Sequence, residues 1–167
     1  MAELTRTNKP PPPILAQAAE DRGVIREYLA FVLAGEVYAV ALTRIREILS
    51  PPPITEVPRA GRDVIGVCSV RGLLVTVVDL RRRMRLEEAP ISRRSRILLA
   101  IANSGEVVGL VVDEVKQVIR LAEAEIEIAQ SVLGGDVSEH VMGIARPASG
   151  VVVLLNLGSI VSGGNRG

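Results

Sequence analysis

The chain has 167 residues, of which 48% are hydrophobic and 2% aromatic, and its formal net charge is +1. Such a charge provides no global field for a polyanionic partner, and the single cysteine excludes a disulfide within the chain and fits a reducing compartment. Valine, isoleucine and leucine must fill the core, which favours strands. Because no window of about 18 uncharged apolar residues occurs, we expect no membrane-spanning segment.

The two ends of the chain are predicted to lie outside the folded region. Residues 1–23 include the run Pro10-Pro11-Pro12-Pro13, followed by small and charged residues, and contain no apolar core of a signal peptide. This composition is typical of a disordered, proline-containing tail, although a proline-motif ligand is an alternative. We also assign residues 163–167 to a short C-terminal tail.

The regular part of the chain begins with a predicted hairpin and a predicted short helix. Residues 27–33 and 36–40 are rich in strand-forming side chains and are separated by Ala34-Gly35. Thr43 is then expected to cap a helix that ends before Pro51. The apolar residues of this helix, at i, i+3 and i+4 spacing, are Ile45, Ile48 and Leu49.

The central hairpin is the most distinctive stretch of the sequence. Two apolar segments, 64–70 and 73–80, are joined by Arg71-Gly72, and Arg71 is the one charged residue between positions 63 and 79. Glycine at position 72 provides the positive φ that a tight turn requires. A guanidinium between strands this apolar must stay at the rim or be paired, because burying it alone costs several kcal/mol.

The same order of elements returns about 70 positions later. Glu106-Val107 repeats Glu36-Val37, an offset of 106 − 36 = 70, and Asp113 then matches the cap Thr43. The segment 141–144 likewise echoes 64–67. Two copies, at about 24–92 and 93–162, predict an all-β fold of two similar small barrels packed through an apolar seam, with strand exchange between the copies left open.

The chain has few residues suited to catalysis or metal binding. His140 is the single histidine and is predicted to lie at the surface, while Cys68 is predicted to be a buried, inert thiol. Asp79 and its counterpart Asn156 each follow a strand, and both residue types cap helical turns, whereas only an aspartate can act as a base. We therefore predict no enzyme activity, no metal and no cofactor, and we assign capping roles to Thr43, Asp79, Asp113 and Asn156.

An arginine-rich connection separates the two copies. It carries Arg81, Arg82, Arg83, Arg85, Arg93, Arg94 and Arg96. Small β-barrels often bind nucleic acid, so the alternative function is a nucleic-acid-binding barrel that uses this loop. The loop contains no aromatic residue for base stacking, which argues against nucleic acid as a partner.

Arg71 and Glu47 form the best-defined candidate for a binding site. The second copy has Gln117 at the position of Glu47, and Pro147 or Ala148 near that of Arg71, so the charged pair is expected in one copy alone. A charge pair present once in a repeated scaffold favours a partner site. The alternative is an ordinary surface ion pair, which contributes about 0–1 kcal/mol.

Several motifs together resemble the family of the chemotaxis coupling protein CheW, which includes the regulatory domain of the kinase CheA. The resemblance spans Tyr28 to about Val161. The motifs are Tyr28–Val40, Ile45-Arg46-Glu47-Ile48, Ile65–Gly72, Val77–Arg81 and Gly109–Val115.

The resemblance implies a single CheW-like domain over residues 24–162, built from two five-stranded SH3-like barrels with short helices. It implies a non-catalytic cytoplasmic adaptor that couples chemoreceptor tips to a CheA-like histidine kinase at membrane-associated arrays, without inserting into the membrane or using a small-molecule substrate. Partner binding falls, by the resemblance, on Ile45, Glu47, Gly66, Arg71 and Gly72.

Overall fold

The computed structural model describes residues 23–129 and 139–162, so the predicted tails, apart from Gly23, lie outside the described residues. The strands are β1 Ile25–Leu33, β2 Glu36–Ala41, β3 Ile45–Leu49, β4 Val64–Val70, β5 Leu73–Asp79, β6 Arg96–Ile101, β7 Val107–Val112, β8 Glu114–Ala122, β9 Ile126–Ile128, β10 Val141–Ala145 and β11 Val152–Leu155. The helices are α1 Leu80–Arg83 and α2 Leu157–Ser162, with 3-10 turns at Leu42–Arg44 and Glu123–Glu125.

The strands form two sheets, and each sheet contains strands from both sequence copies. One sheet has the order β8-β1-β2-β11-β10-β9 and the other the order β3-β6-β7-β5-β4. Hairpin β1–β2 joins the second copy through the parallel pair β2–β11, and hairpin β6–β7 joins the first copy through the parallel pair β7–β5. The copies 24–92 and 93–162 therefore do not correspond to the two sheets.

The all-β prediction with two sheets and short helices is confirmed. The sheets have six and five strands rather than five each. Closure of either sheet into an SH3-like barrel stays a prediction. The predicted turns at Ala34-Gly35 and Arg71-Gly72 both join hairpins, with all four residues at positive φ.

The main core lies between the two sheets. It contains Phe31 and Val40 from the six-stranded sheet, and Leu98 and Leu110 from the five-stranded sheet, all without exposed surface. Smaller apolar clusters belong to single sheets, around Leu121 and Leu154 in the six-stranded sheet and around Cys68 and Val77 in the five-stranded sheet. The largest core of the described residues is therefore an apolar seam between the two sheets, not between the two sequence copies.

The predicted helix after Thr43 is wrong. Thr43 lies inside the 3-10 turn Leu42–Arg44, which begins after Ala41 and has no side-chain cap, and residues 45–49 form β3. A helix confined before Pro51 would contain very few hydrogen bonds, whereas β3 gains a full ladder with β6. The matching residues of the second copy, Val115 to Ile119, likewise lie in β8.

Asp113 does not cap a helix but joins the two sheets. It accepts hydrogen bonds from Arg81 Nε at 2.9 Å, Arg81 Nη2 at 2.6 Å and the backbone N–H of Ala34 at 2.8 Å. Burial tends to raise the pKa of Asp113, but the bonds from Arg81 and Ala34 outweigh it and lower that pKa below its ordinary value. The carboxylate thus connects the β1–β2 turn to α1.

The other two assigned caps precede helices in equivalent places. Asp79 Oδ1 accepts a hydrogen bond from the backbone N–H of Arg81 at 3.0 Å, at the start of α1. Asn156 Oδ1 accepts one from the backbone N–H of Ser159 at 3.3 Å, at the start of α2. An amide can accept this bond as well as a carboxylate, so the position needs no titratable group.

Candidate functional site

The turn between β4 and β5 holds an arginine in a conformation that arginine rarely adopts. Val70 pairs with Leu73, so Arg71 and Gly72 are the two central residues, with φ values of 50° and 83°. This geometry matches a type I′ turn, whose first central position favours asparagine, aspartate or glycine. Holding another L-residue there costs about 1–2 kcal/mol. Ala34 takes the same conformation, with a φ of 49°, in the turn between β1 and β2.

The Arg71 guanidinium forms a two-point contact with the Glu47 carboxylate. Arg71 Nη1 donates to Glu47 Oε2 at 2.8 Å, and Nη2 donates to Oε1 at 2.7 Å. Glu47 lies on β3 and Arg71 follows β4, the two outer strands of the five-stranded sheet. The Arg71 side chain is 77% exposed and that of Glu47 is 27% exposed. Solvent screening limits such a pair to about 1 kcal/mol, so it orients Arg71 more than it stabilises the fold.

Gly66 is buried on β4 and permits a close backbone contact. The segment that leads into β4 pairs Thr55 with Val67 through two hydrogen bonds of 2.8 Å. A Cβ at position 66 would lie 2.1 Å from the carbonyl oxygen of Thr55. Gly143 occupies the matching place in β10, where a Cβ would lie 2.7 Å from the Glu127 carbonyl oxygen. The repeated glycine therefore has a packing role.

The five residues assigned to partner binding thus lie at different depths. Glu47, Arg71 and Gly72 reach the surface together, whereas Gly66 is buried. Ile45 is half-buried and packs against the main core. A partner that contacts the pair would meet the first three directly, and the other two would act by positioning them.

Two exposed leucines beside the turn were missed by the sequence reasoning. Leu73 is 61% exposed and Leu74 is 78% exposed, although both begin a strand. The pairing of β5 with β7 starts at Thr76, so the hairpin extends beyond its sheet. The usable signal was the adjacent pair of leucines, which breaks the alternation of a half-buried strand. We call Glu47, Arg71, Gly72, Leu73 and Leu74 the hairpin patch.

The first three arginines of the basic connection are already paired. Arg81 binds Asp113, Arg82 Nε lies 2.6 Å from Glu88 Oε1, and Arg83 Nε donates to Asp63 Oδ2 at 2.8 Å. Phosphate contacts through the Arg81 guanidinium or through Arg82 Nε would require breaking existing ion pairs. The pairing therefore argues against a nucleic-acid surface centred on α1.

The expectation for His140 is wrong, and that for Cys68 is confirmed. The His140 residue is 8% exposed, with Nδ1 2.9 Å from Ser159 Oγ, because α2 packs over the turn that precedes β10. Cys68 is buried, and burial raises the pKa of its thiol, so thiolate chemistry is disfavoured. Within residues 23–129 and 139–162, no cluster of three metal-ligating side chains occurs.

Comparison with known proteins agrees with this architecture. The family model described as CheW-like domain matches residues 27–164, most of the chain. The chain belongs to the CheW-like family. The predicted family is thereby confirmed, and the chain is a CheW-like scaffold protein.

Relatives and a solved structure cover the same region of this family member. The chemotaxis protein CheW of Bacillus subtilis is 29% identical over 80% of this chain and 85% of its own length. The protein FrzA of Myxococcus xanthus is 32% identical over 79% of this chain and 81% of its own length. The crystal structure of the scaffolding protein TtCheW from Thermoanaerobacter tengcongensis has a TM-score of 0.74 and 27% identity, covering 82% of this chain and 92% of that one. None of the helices in the described parts of the chain has the length and hydropathy to cross a membrane.

Proposed function

We propose that this protein is a non-catalytic adaptor that couples chemoreceptor signalling tips to a CheA-type histidine kinase, with the hairpin patch as one docking surface. The observation that carries the proposal is Arg71, held at a φ of 50° and oriented by Glu47 beside two exposed leucines. A rigid cation next to exposed apolar area is typical of a protein-binding centre. We also propose a cytoplasmic location, at receptor arrays.

An adaptor needs a second surface, and the repeat supplies a candidate. Val151 lies at the place of Leu74 in the second copy and is 59% exposed, and Val118 lies at the place of Ile48 and is 45% exposed. Gln117 and Ala148 stand near the positions of Glu47 and Arg71. The two sheets therefore present related apolar surfaces that differ in charge, which allows each to take a different partner.

Weak individual contacts suffice for such a role. A standard interface buries about 1,200–2,000 Å². A micromolar contact, about −8 kcal/mol, is compatible with that area. When receptor and kinase are held in one array, effective concentration raises avidity by about 10²–10⁴ without new contacts.

The test compares two arginine variants in binding to the purified kinase regulatory domain and, separately, to the receptor cytoplasmic domain. Arg71→Asn keeps a residue that tolerates the turn and removes the guanidinium. Arg59→Asn is the matched control, because Arg59 is an exposed arginine with a φ of 61° in the loop before β4 and is not part of the hairpin patch. Isothermal titration calorimetry measures both binary affinities.

We expect Arg71→Asn to weaken one of the two complexes by about tenfold or more, equivalent to 1.4 kcal/mol, and to leave the other unchanged. Arg59→Asn should bind both partners like the wild type. If Arg71→Asn and Arg59→Asn bind alike, the hairpin patch is not a docking surface for these partners.

A further inference from the structure

A groove of about 1200 Å³ is lined by residues of both helices, α1 and α2. The backbone on its two sides is arranged alike: Asp79 N–H donates to the Asp63 carbonyl oxygen at 2.8 Å, and Asn156 N–H donates to the His140 carbonyl oxygen at 2.7 Å. Asp63 and His140 thus occupy equivalent places in the two copies. The groove is distinct from the hairpin patch and has no role in the adaptor proposal.

Two buried polar side chains line the groove. Arg83 is 7% exposed and His140 is 8% exposed. Arg83 donates through Nε to Asp63 and through Nη1 to the carbonyl oxygen of Ile160 on α2. Its Nη2 makes no hydrogen bond within the described residues and is not fully enclosed, so we infer that this donor is open to the groove. When two nitrogens of a guanidinium are already held by hydrogen bonds, the third is a preorganised donor for an oxyanion.

Two further arginines line the groove. Arg62 precedes β4 and Arg85 follows α1, and both are exposed and form no ion pair with any residue that the structure describes. Ser159 and Ser162 of α2 also line the groove, but their hydroxyl groups already donate to the carbonyl oxygens of Asn156 and Ser159. The arginines of two chain segments, the loop before β4 and the end of α1, therefore line one volume.

The acidic side chains of the groove limit what can bind there. Asp63 and Glu88 already pair with Arg83 and Arg82, whereas Glu87 and Glu139 are exposed. The four carboxylates balance the four arginines in formal charge. A neutral lining does not attract a long polyanion, but directed donors can still bind a small one.

We propose that this groove binds a phosphoryl oxyanion, held by Arg83 Nη2, Arg62 and Arg85 with His140 beside it. Three guanidiniums from two chain segments suit a tetrahedral group with several oxygens better than a planar carboxylate. The phosphoryl group belongs either to free phosphate or to a phosphorylated side chain of a bound peptide.

The single histidine gives a direct readout of this site. Burial lowers the pKa of His140, Glu139 and Asp63 oppose that shift, and Arg83 and Arg85 add to it. A dianion bound in the groove favours the imidazolium form, so the pKa of His140 rises when phosphate binds. NMR of the His140 ring protons follows both the binding curve and the pKa, and needs no assignment in a chain freed of any histidine tag.

The experiment titrates the full chain with inorganic phosphate against sodium chloride and sodium acetate of equal ionic strength. We expect saturable shifts with a dissociation constant of about 1 mM or below, and a raised His140 pKa, for phosphate alone. Arg62→Ala and Arg85→Ala should each weaken phosphate binding by about tenfold, and Arg59→Ala, from the same loop as Arg62, should not. Equal shifts in chloride or acetate, or equal losses in the Arg59→Ala control, overturn the proposal.

A second titration with a short phosphoserine peptide and its unphosphorylated form identifies the source of the phosphoryl group. Equal affinity for phosphate and phosphopeptide assigns the site to free phosphate. Tighter binding of the phosphopeptide alone assigns it to a phosphorylated partner. Equal binding of both peptide forms shows that the peptide, not the phosphoryl group, is recognised, and contradicts the proposal.

Discussion

Asp113→Asn tests whether the contact between the two sheets contributes as much stability as its geometry indicates. The substitution keeps the size of the side chain and removes the charge that receives two bonds from Arg81 and one from Ala34. The Arg81 side chain is 17% exposed and that of Asp113 is 28% exposed. Arg81 would therefore keep its charge in a poorly solvated position without its main partner.

The expected cost lies between two known limits. Removing one member of a fully buried pair costs about 3–5 kcal/mol, and exposed pairs contribute about 0–1 kcal/mol. Partial exposure places the loss of unfolding free energy near 2–3 kcal/mol, a large part of the roughly 5–15 kcal/mol of a typical domain. At about 2–4 °C per kcal/mol for a chain of this size, the melting temperature should fall by about 4–12 °C.

Urea unfolding at pH 7, followed by circular dichroism, measures this cost. Glu127→Gln is the matched control, because it removes the charge of the Arg146–Glu127 pair, whose side chains are 63% and 48% exposed. We expect the control to lose less than about 1 kcal/mol. If Asp113→Asn loses no more unfolding free energy than Glu127→Gln, the contact of Asp113 with Arg81 and Ala34 does not stabilise the fold as inferred.

The pKa of Asp113 adds a dependence on pH. Because its folded-state pKa lies below the ordinary value of 3.8, the unfolded chain binds the proton more readily. The stability that this group contributes is therefore complete above pH 3.8 and is lost as the pH falls through the folded-state value. The difference in unfolding free energy between the wild type and Asp113→Asn should therefore shrink as the pH falls below 3.8. A difference that stays constant would contradict the lowered pKa assigned to Asp113.

Three further predictions, which use four substitutions, separate structural from surface roles. Gly66→Ala should lower the unfolding free energy by about 3 kcal/mol or more, because the added Cβ meets a backbone oxygen. Gly72→Ala, with open space around its Cβ, should lower it by about 1–2 kcal/mol because of its positive φ. Similar losses for the two variants in urea unfolding would show that Gly66 has no packing role. Arg71→Asn should change the unfolding free energy by less than about 1 kcal/mol, since relief of the turn offsets loss of the ion pair, and a larger fall would make Arg71 structural. Because the pKa of His140 is lowered in the folded protein, the wild type should lose stability between pH 7.5 and 5.5, as the histidine of the unfolded chain protonates near 6.5. His140→Gln should not show this loss. Parallel curves of unfolding free energy against pH for the two proteins would exclude His140 as its source.

The hairpins and the charged pair could be predicted because their signals are local or repeated. Glycine at the second position of Ala34-Gly35 and Arg71-Gly72 marks the turns, and both turns join hairpins. Glu47 was paired with Arg71 because one copy has the charges and the other does not. The geometry that brings the two side chains to 2.7 Å is a contact between outer strands, which the predicted helix did not provide.

The errors arise where distant contacts override local pattern. Residues 45–49 fit a helical face equally well over so short a window, and pairing with β6 decides for a strand. The exchange of hairpins between copies depends on the parallel pairs β2–β11 and β5–β7, which leave no local signal. His140 follows polar residues and is predicted to be exposed, but α2, 17 to 22 positions later in the chain, covers it.

The proposed role of the protein as a bridge is tested most directly by assembling the three components. The receptor cytoplasmic domain is immobilised, and retention of the kinase regulatory domain is measured by biolayer interferometry with and without this protein. We expect the kinase domain to be retained together with the wild-type protein, and retention to fall with Arg71→Asn but not with Arg59→Asn. If receptor and kinase domain displace each other from the protein, it binds one partner at a time and is not an adaptor between them.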